Sequence, residues 1–174
     1  LGINFYLKNE KYGEDISIKK VEKVNEEFNA RFSALNKTYK YKIFNKHFRS
    51  PLNQKDSWWV KQKINVKDMM RASNYLLGKH DFTSFRAVDC QAKSPIKTLS
   101  KISITKKKNI ISISFTARSF LYNQVRIMSG TLKDVGTGLV KPIELKNIIS
   151  AKNRSKAGPT APAKGLTLLK VNYK

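Results

Sequence analysis

The 174 residues carry 35 Lys plus Arg against 12 Asp plus Glu, a formal net charge of +23, and are 40% apolar. That length and apolar content support a packed core and exclude global disorder. The charge far exceeds what solubility needs and points to a polyanion, nucleic acid ahead of an anionic membrane surface.

Residues 1–30 are weakly patterned. GINFYL and ISIKKVEKV are expected as short strands around the charged turn KNEKYGED. In NKTYKYKIFN, Tyr39, Tyr41 and Ile43 share one face and Lys40 and Lys42 the other, the period-two signature of a strand with one wet face. FRSPLNQ is a loop and SWWVK a short edge strand. NVKDMMRASNYLLG predicts a helix capped by Asn65, with Asp68 in the capping-box position and Gly78 at its C-terminal stop. Its apolar stripe is Val66, Met69, Leu76 and Leu77, bridged by Ser73. KHDFTSFRAVDCQAKSP is expected as a structured loop, followed by a hairpin of IKTLSKISITKK and NIISISFTA. Leu121, Val125, Met128 and Leu132 recur at helical spacing, with Arg118, Tyr122 and Arg126 along a neighbouring face. Pro142 opens a further helix carrying Leu145, Ile148 and Ile149 inward. RSKAGPTAPAKG is a loop of small residues and prolines, and LTLLKVNY a closing strand. The sum is an α+β fold: a largely antiparallel sheet with helices on one face.

Several groups invite a chemical role. Arg126 lies between Val125 and Ile127, where a guanidinium either snorkels to water or finds a partner. In the second case it can grip a carboxylate or phosphate with a fork that Lys cannot match. Tyr39 and Tyr41 among lysines, and Phe82, Phe85 and Arg86 in one loop, fit either base stacking or ordinary core packing. Asp89 reads as a turn residue, and no two acids stand at a spacing typical of general acid/base work. Cys90 is the only cysteine, which excludes an internal disulfide and fits a reducing, cytoplasmic setting. A metal site from Cys90, His47 and His80 has no support in their spacing. No stretch approaches a membrane span, and no signal peptide is visible. On the residues alone this is a basic nucleic-acid-binding domain, with a non-catalytic RNA-binding module or a ribosome-associated structural subunit as alternatives.

Four ordered blocks, FNARFSALNKTYKYKIFN, LLGKHDFTSFRAVDCQAKSPIKTLSKISI, SFLYNQVRIMSGTLKDVGTG and AKNRSKAGPTAPAKGLTLLKVNY, resemble the tRNA pseudouridine synthase A family. The resemblance implies a two-lobed pseudouridine synthase fold with residues 31–174 as its C-terminal lobe and residues 1–30 as the crossover from an N-terminal lobe. It implies an RNA isomerase that turns uridine into pseudouridine in the anticodon arm of tRNA, works as a homodimer and needs no organic cofactor. Carried over residue by residue, Tyr39 resembles the tyrosine that packs on the target uracil. Arg126 resembles the arginine that pairs with the catalytic aspartate. Phe120, Phe85, Arg86, Lys37, Lys40 and Lys42 are then expected to contact RNA or line its pocket. The family's aspartate stands in an RTDxGVHA-like stretch that this chain lacks; none of Asp15, Asp56, Asp68, Asp81, Asp89 and Asp134 has that context. Asn29 stands where the family more usually has a histidine. The chain is therefore expected to begin after the catalytic loop, to bind RNA weakly by itself and not to catalyse.

Overall fold

The computed structural model describes residues 2–7 and 15–173. The chain divides into two compact units, 1–33 and 34–174. Most of the charged turn expected at KNEKYGED, residues 8–14, lies outside the described residues.

In the first unit Gly2–Leu7 is not a strand but a short helix, α1. Residues 16–25 are irregular rather than a second strand. The reason is local: the Asn4 side chain takes both the N–H and the C=O of Ile18, at 2.8 Å each, so a side-chain amide satisfies main-chain groups that a strand would pair. Apolar runs this short do not distinguish the two states by period.

The second unit is built on six strands: β1 (Asn36–Asn45), β2 (Trp58–Val60), β3 (Gly78–Asp81), β4 (Ile96–Lys107), β5 (Ile110–Ala117) and β6 (Leu166–Asn172). Their order is β3-β4-β5-β1, and beyond β1 lie β6, along its first half, and β2, along its end. Every pairing is antiparallel except β1–β2. Parallel pairing is possible there because residues 46–57 form a crossover long enough to return the chain.

The alternation in β1 is realised. Tyr41 and Ile43 are fully buried opposite Ile113 and Ile111 of β5, and Tyr39 stands opposite Phe115. Lys40 and Lys42 alternate to the other face, opposite Ser114 and Ser112. Against the apolar face pack α2 (Val66–Ser73), α3 (Gln124–Gly136) and α4 (Glu144–Ser150), through Met69, Val125, Met128, Leu132, Leu145 and Ile148. This is the α+β, largely antiparallel architecture that the sequence predicts.

Asn65 caps α2 by accepting from the N–H groups of Lys67 and Asp68. The helix is shorter than its pattern suggests: Asn74–Leu76 tightens into a 3-10 turn, and Leu77 is left exposed rather than inward. Gly78, at φ +94°, turns the chain into β3, a strand that the expected loop conceals. Its four residues, GKHD, have no alternation of their own, and only pairing with β4 makes them a strand.

Candidate active site

Arg126 sits in the first turn of α3. The residue before that helix, Asn123, has φ +58°, a left-handed conformation that Asn tolerates better than most residues. Its side-chain oxygen accepts from Nη1 of Arg126 at 3.0 Å. Nε of Arg126 donates to the carbonyl of Ala161 at 2.6 Å, and the Ala161 N–H donates back to the Arg126 carbonyl at 3.2 Å. Among the described residues no carboxylate forms an ion pair with Arg126, and both of its hydrogen-bonded acceptors are neutral. The guanidinium is thus fixed in direction while, among the described residues, its charge has no counter-ion, an arrangement suited to receiving an anion.

Tyr39 meets Phe120, in the segment before α3, edge to face with ring centroids 5.3 Å apart. Tyr41, two residues along β1, is fully buried and donates its hydroxyl to the carbonyl of Pro162 at 2.7 Å. Burial pushes the Tyr41 phenol well above its ordinary range, against the opposing pull of the Arg126 charge. Tyr41 is therefore a permanent donor near neutral pH. The strand tyrosine and the helix arginine thus donate to consecutive carbonyls, those of Pro162 and Ala161, in the loop before β6.

The structure packs Tyr39 against Phe120, and it gives most of the other expected contacts structural partners. Phe85 is fully buried beside Phe82, so its ring has no surface to offer an RNA and is a packing element. Arg86 donates through Nη2 to the carbonyls of Cys90 and Ala92, at 2.7 and 2.8 Å, which shapes its own loop. The loop is also stitched to the segment before α3, since Tyr122 N–H donates to the Cys90 sulfur at 3.3 Å. Lys37 shares the sheet face of Tyr39, opposite Ala117, whereas Lys40 and Lys42 project from the other face. Lys42 is moreover held by Asp56 at 2.6 Å.

Of the other described aspartates, three are held by neighbouring side chains, and Asp15 is exposed. Asp68 accepts from Asn65 and Arg71, Asp81 from Thr83, and Asp134 pairs with Lys133; Asp89 is exposed. Among the described residues no group of three His, Cys, Asp or Glu side chains could hold a metal ion. No described helix is long and apolar enough to cross a membrane.

A family model described as tRNA pseudouridine synthase matches residues 72–174, more than half of the chain. The chain is 46% identical over 171 residues to tRNA pseudouridine synthase A of Anaplasma phagocytophilum, a match covering 98% of this chain and 68% of that protein. This chain belongs to the tRNA pseudouridine synthase family. It is also 51% identical over 148 residues to the tRNA pseudouridine synthase A of Orientia tsutsugamushi (strain Ikeda), covering 84% of this chain and 52% of the relative. The matches thus span from about half to about two thirds of these relatives' lengths. The family's matched region contains α3 and the loop that grips Arg126.

Sequence reasoning singled out Tyr39, Tyr41, Phe120 and Arg126 as candidates but gave no role to Asn123 or Ala161, which hold the Arg126 guanidinium. The one available signal was the small-residue loop AGPTAPA, whose composition suits close backbone approach.

Proposed function

We propose that this chain is the C-terminal part of a tRNA pseudouridine synthase acting on uridines of the anticodon stem-loop. The observation that carries this reading is Arg126, fixed by two neutral acceptors and, among the described residues, without a carboxylate partner. The reaction breaks the glycosidic bond from ribose to the base nitrogen, turns the uracil, joins carbon five to the ribose, and releases the proton from carbon five while the freed nitrogen takes one up. Atoms and charge balance without an oxidant or reductant, so the protein must supply a nucleophile or base, a dry pocket and fixed charge.

Arg126 is the fixed charge, and its partner is the aspartate of the RTDxGVHA-like stretch that the resemblance implies. Tyr39 packs on the uracil once the base has left its stack. The net charge of +23 supplies the attraction for the tRNA backbone. The expected assembly is a homodimer in the cytoplasm.

The test is tritium release. Full-length protein is incubated with tRNA labelled at carbon five of its uridines, and release is followed with intact tRNA and with tRNA altered in the anticodon arm. Release that depends on anticodon-arm uridines supports the reading, and the 174-residue chain alone should release nothing. Binding of tRNA by the full-length protein without release would make it a non-catalytic RNA-binding module.

A further inference from the structure

The loop that grips Arg126 is itself held by a second arginine. Residues 157–162 run as a strap across α3 and β1. On the α3 side, Gly158 N–H donates to Thr131 Oγ1 at 2.9 Å, and Ala161 exchanges main-chain and side-chain bonds with Arg126. On the β1 side, the Pro162 carbonyl takes the Tyr41 hydroxyl. The approach is close enough to require glycine on both partners. A Cβ on Gly130 of α3 would lie 1.8 Å from the Pro159 oxygen, and one on Gly158 would lie 2.8 Å from the Thr131 Cα.

Arg154 lies at the root of this strap. Its Nη1 donates to the carbonyls of Ala157 and Gly158, at 3.3 and 3.0 Å, and its Nη2 to Thr160 Oγ1 at 3.1 Å. Among the described residues it forms no ion pair. Burial pulls its pKa below the ordinary guanidinium value. A half-buried cation with only neutral acceptors is a costly choice if the purpose is only to close a surface turn. The acceptors belong to the stretch that ends at Ala161, and a planar fork can bridge several of them where an ammonium cannot.

We propose that Arg154 is a positioning residue for Arg126: it locks residues 157–160, so that the Ala161 carbonyl meets Arg126 Nε and fixes the guanidinium in direction. The functional half of this inference rests on the proposed synthase activity; the mechanical half does not. Without Arg154 the strap loses three of its hydrogen bonds, and the Ala161 carbonyl is no longer held in register. Arg126 then regains the rotamer freedom that its two neutral acceptors remove. Misplacing a group near the chemistry lowers the rate of the chemical step more than it lowers binding.

The experiment uses the full-length protein with Arg154→Met, Arg154→Lys and, as a variant that leaves the charge and most packing in place, Thr160→Val. Hydrogen exchange at the Gly158 and Ala161 amides reads the strap directly. Exchange should accelerate in Arg154→Met and, to a smaller extent, in Thr160→Val, with the β4–β5 amides unchanged. In turnover assays Arg154→Met should lower kcat by up to about 100-fold with little change in KM. Arg154→Lys should not restore it. The double variant Arg126→Ala with Arg154→Met should be no slower than Arg126→Ala alone.

Unchanged exchange at Gly158 and Ala161 in Arg154→Met or, should that variant not fold, in Thr160→Val would overturn the proposal. So would rate losses at Arg126 and Arg154 that simply multiply. If wild-type protein formed no pseudouridine, the function would be wrong, while the exchange measurement would still decide whether Arg154 holds the strap.

Discussion

Replacing Gly130 with alanine sets two physical rules against each other. Gly130 lies inside α3, where alanine is intrinsically better than glycine by about 1 kcal/mol. Helix propensity alone therefore predicts a more stable protein. The strap predicts the reverse. The added Cβ would meet the Pro159 carbonyl oxygen at 1.8 Å, and the 2.9 Å distance to the Pro159 carbon leaves no sideways escape. Helix and strap must separate by more than an ångström. That strains or breaks the bonds from Gly158 N–H to Thr131 and from Ala161 N–H to the Arg126 carbonyl. Each is worth about 0.5–1.5 kcal/mol net. Overpacking adds about 1–3 kcal/mol. Set against the gain in propensity, the change should cost about 2 kcal/mol and lower the thermal midpoint by about 4–8 °C for a domain of this size. Urea unfolding with an unchanged slope would show that stability itself had moved. Asn147→Ala, at an exposed site in α4, is the control and should not lower the midpoint. A midpoint raised by Gly130→Ala would refute the close packing of the strap on α3.

Acid stability should depend on Asp81. The Thr83 hydroxyl, at 2.6 Å, holds its carboxyl below the ordinary range; partial burial opposes this, and the Thr83 N–H and Lys152 add to it. A depressed folded pKa stabilises fully above the unfolded value and is lost as pH falls through the folded one. Asp81→Asn should therefore flatten the loss of stability below about pH 4 and leave its shape near neutrality unchanged; an acid limb identical to wild type would contradict the assignment. For tRNA affinity, Lys37→Ala should reduce the slope of log K against log salt by roughly 0.7–0.9. Lys42→Ala should change it less, because Asp56 already offsets that charge; filter binding across a salt series separates the two.

The fold was legible where a segment carries its own period. β1, the β4–β5 hairpin and the apolar stripe of α3 announce themselves because one face of each is buried against the same core. β3 was hidden because four residues without alternation become a strand only when β4 pairs with them. α1 was misread because six apolar-rich residues satisfy either period. At the site, Arg126 could be singled out because an arginine between two apolar residues is locally inconsistent. Ala161 and Pro162 could not, since they act through main-chain carbonyls that any residue possesses. For Phe85 the residues alone left stacking and core packing open and only the resemblance gave it to RNA; an aromatic beside an arginine looks alike in a core and at a binding surface, and burial separates the two.

The most direct test of the account is Arg126→Lys in the full-length protein, measured by tritium release and by tRNA binding in parallel. Lysine keeps the charge but cannot place one donor on Ala161, a second on Asn123 and a third toward an incoming carboxylate in one plane. The account predicts near-wild-type tRNA affinity with pseudouridine formation reduced by at least about 100-fold. Turnover close to wild type would show that charge alone suffices at this position, and the held guanidinium would not be the centre of the site.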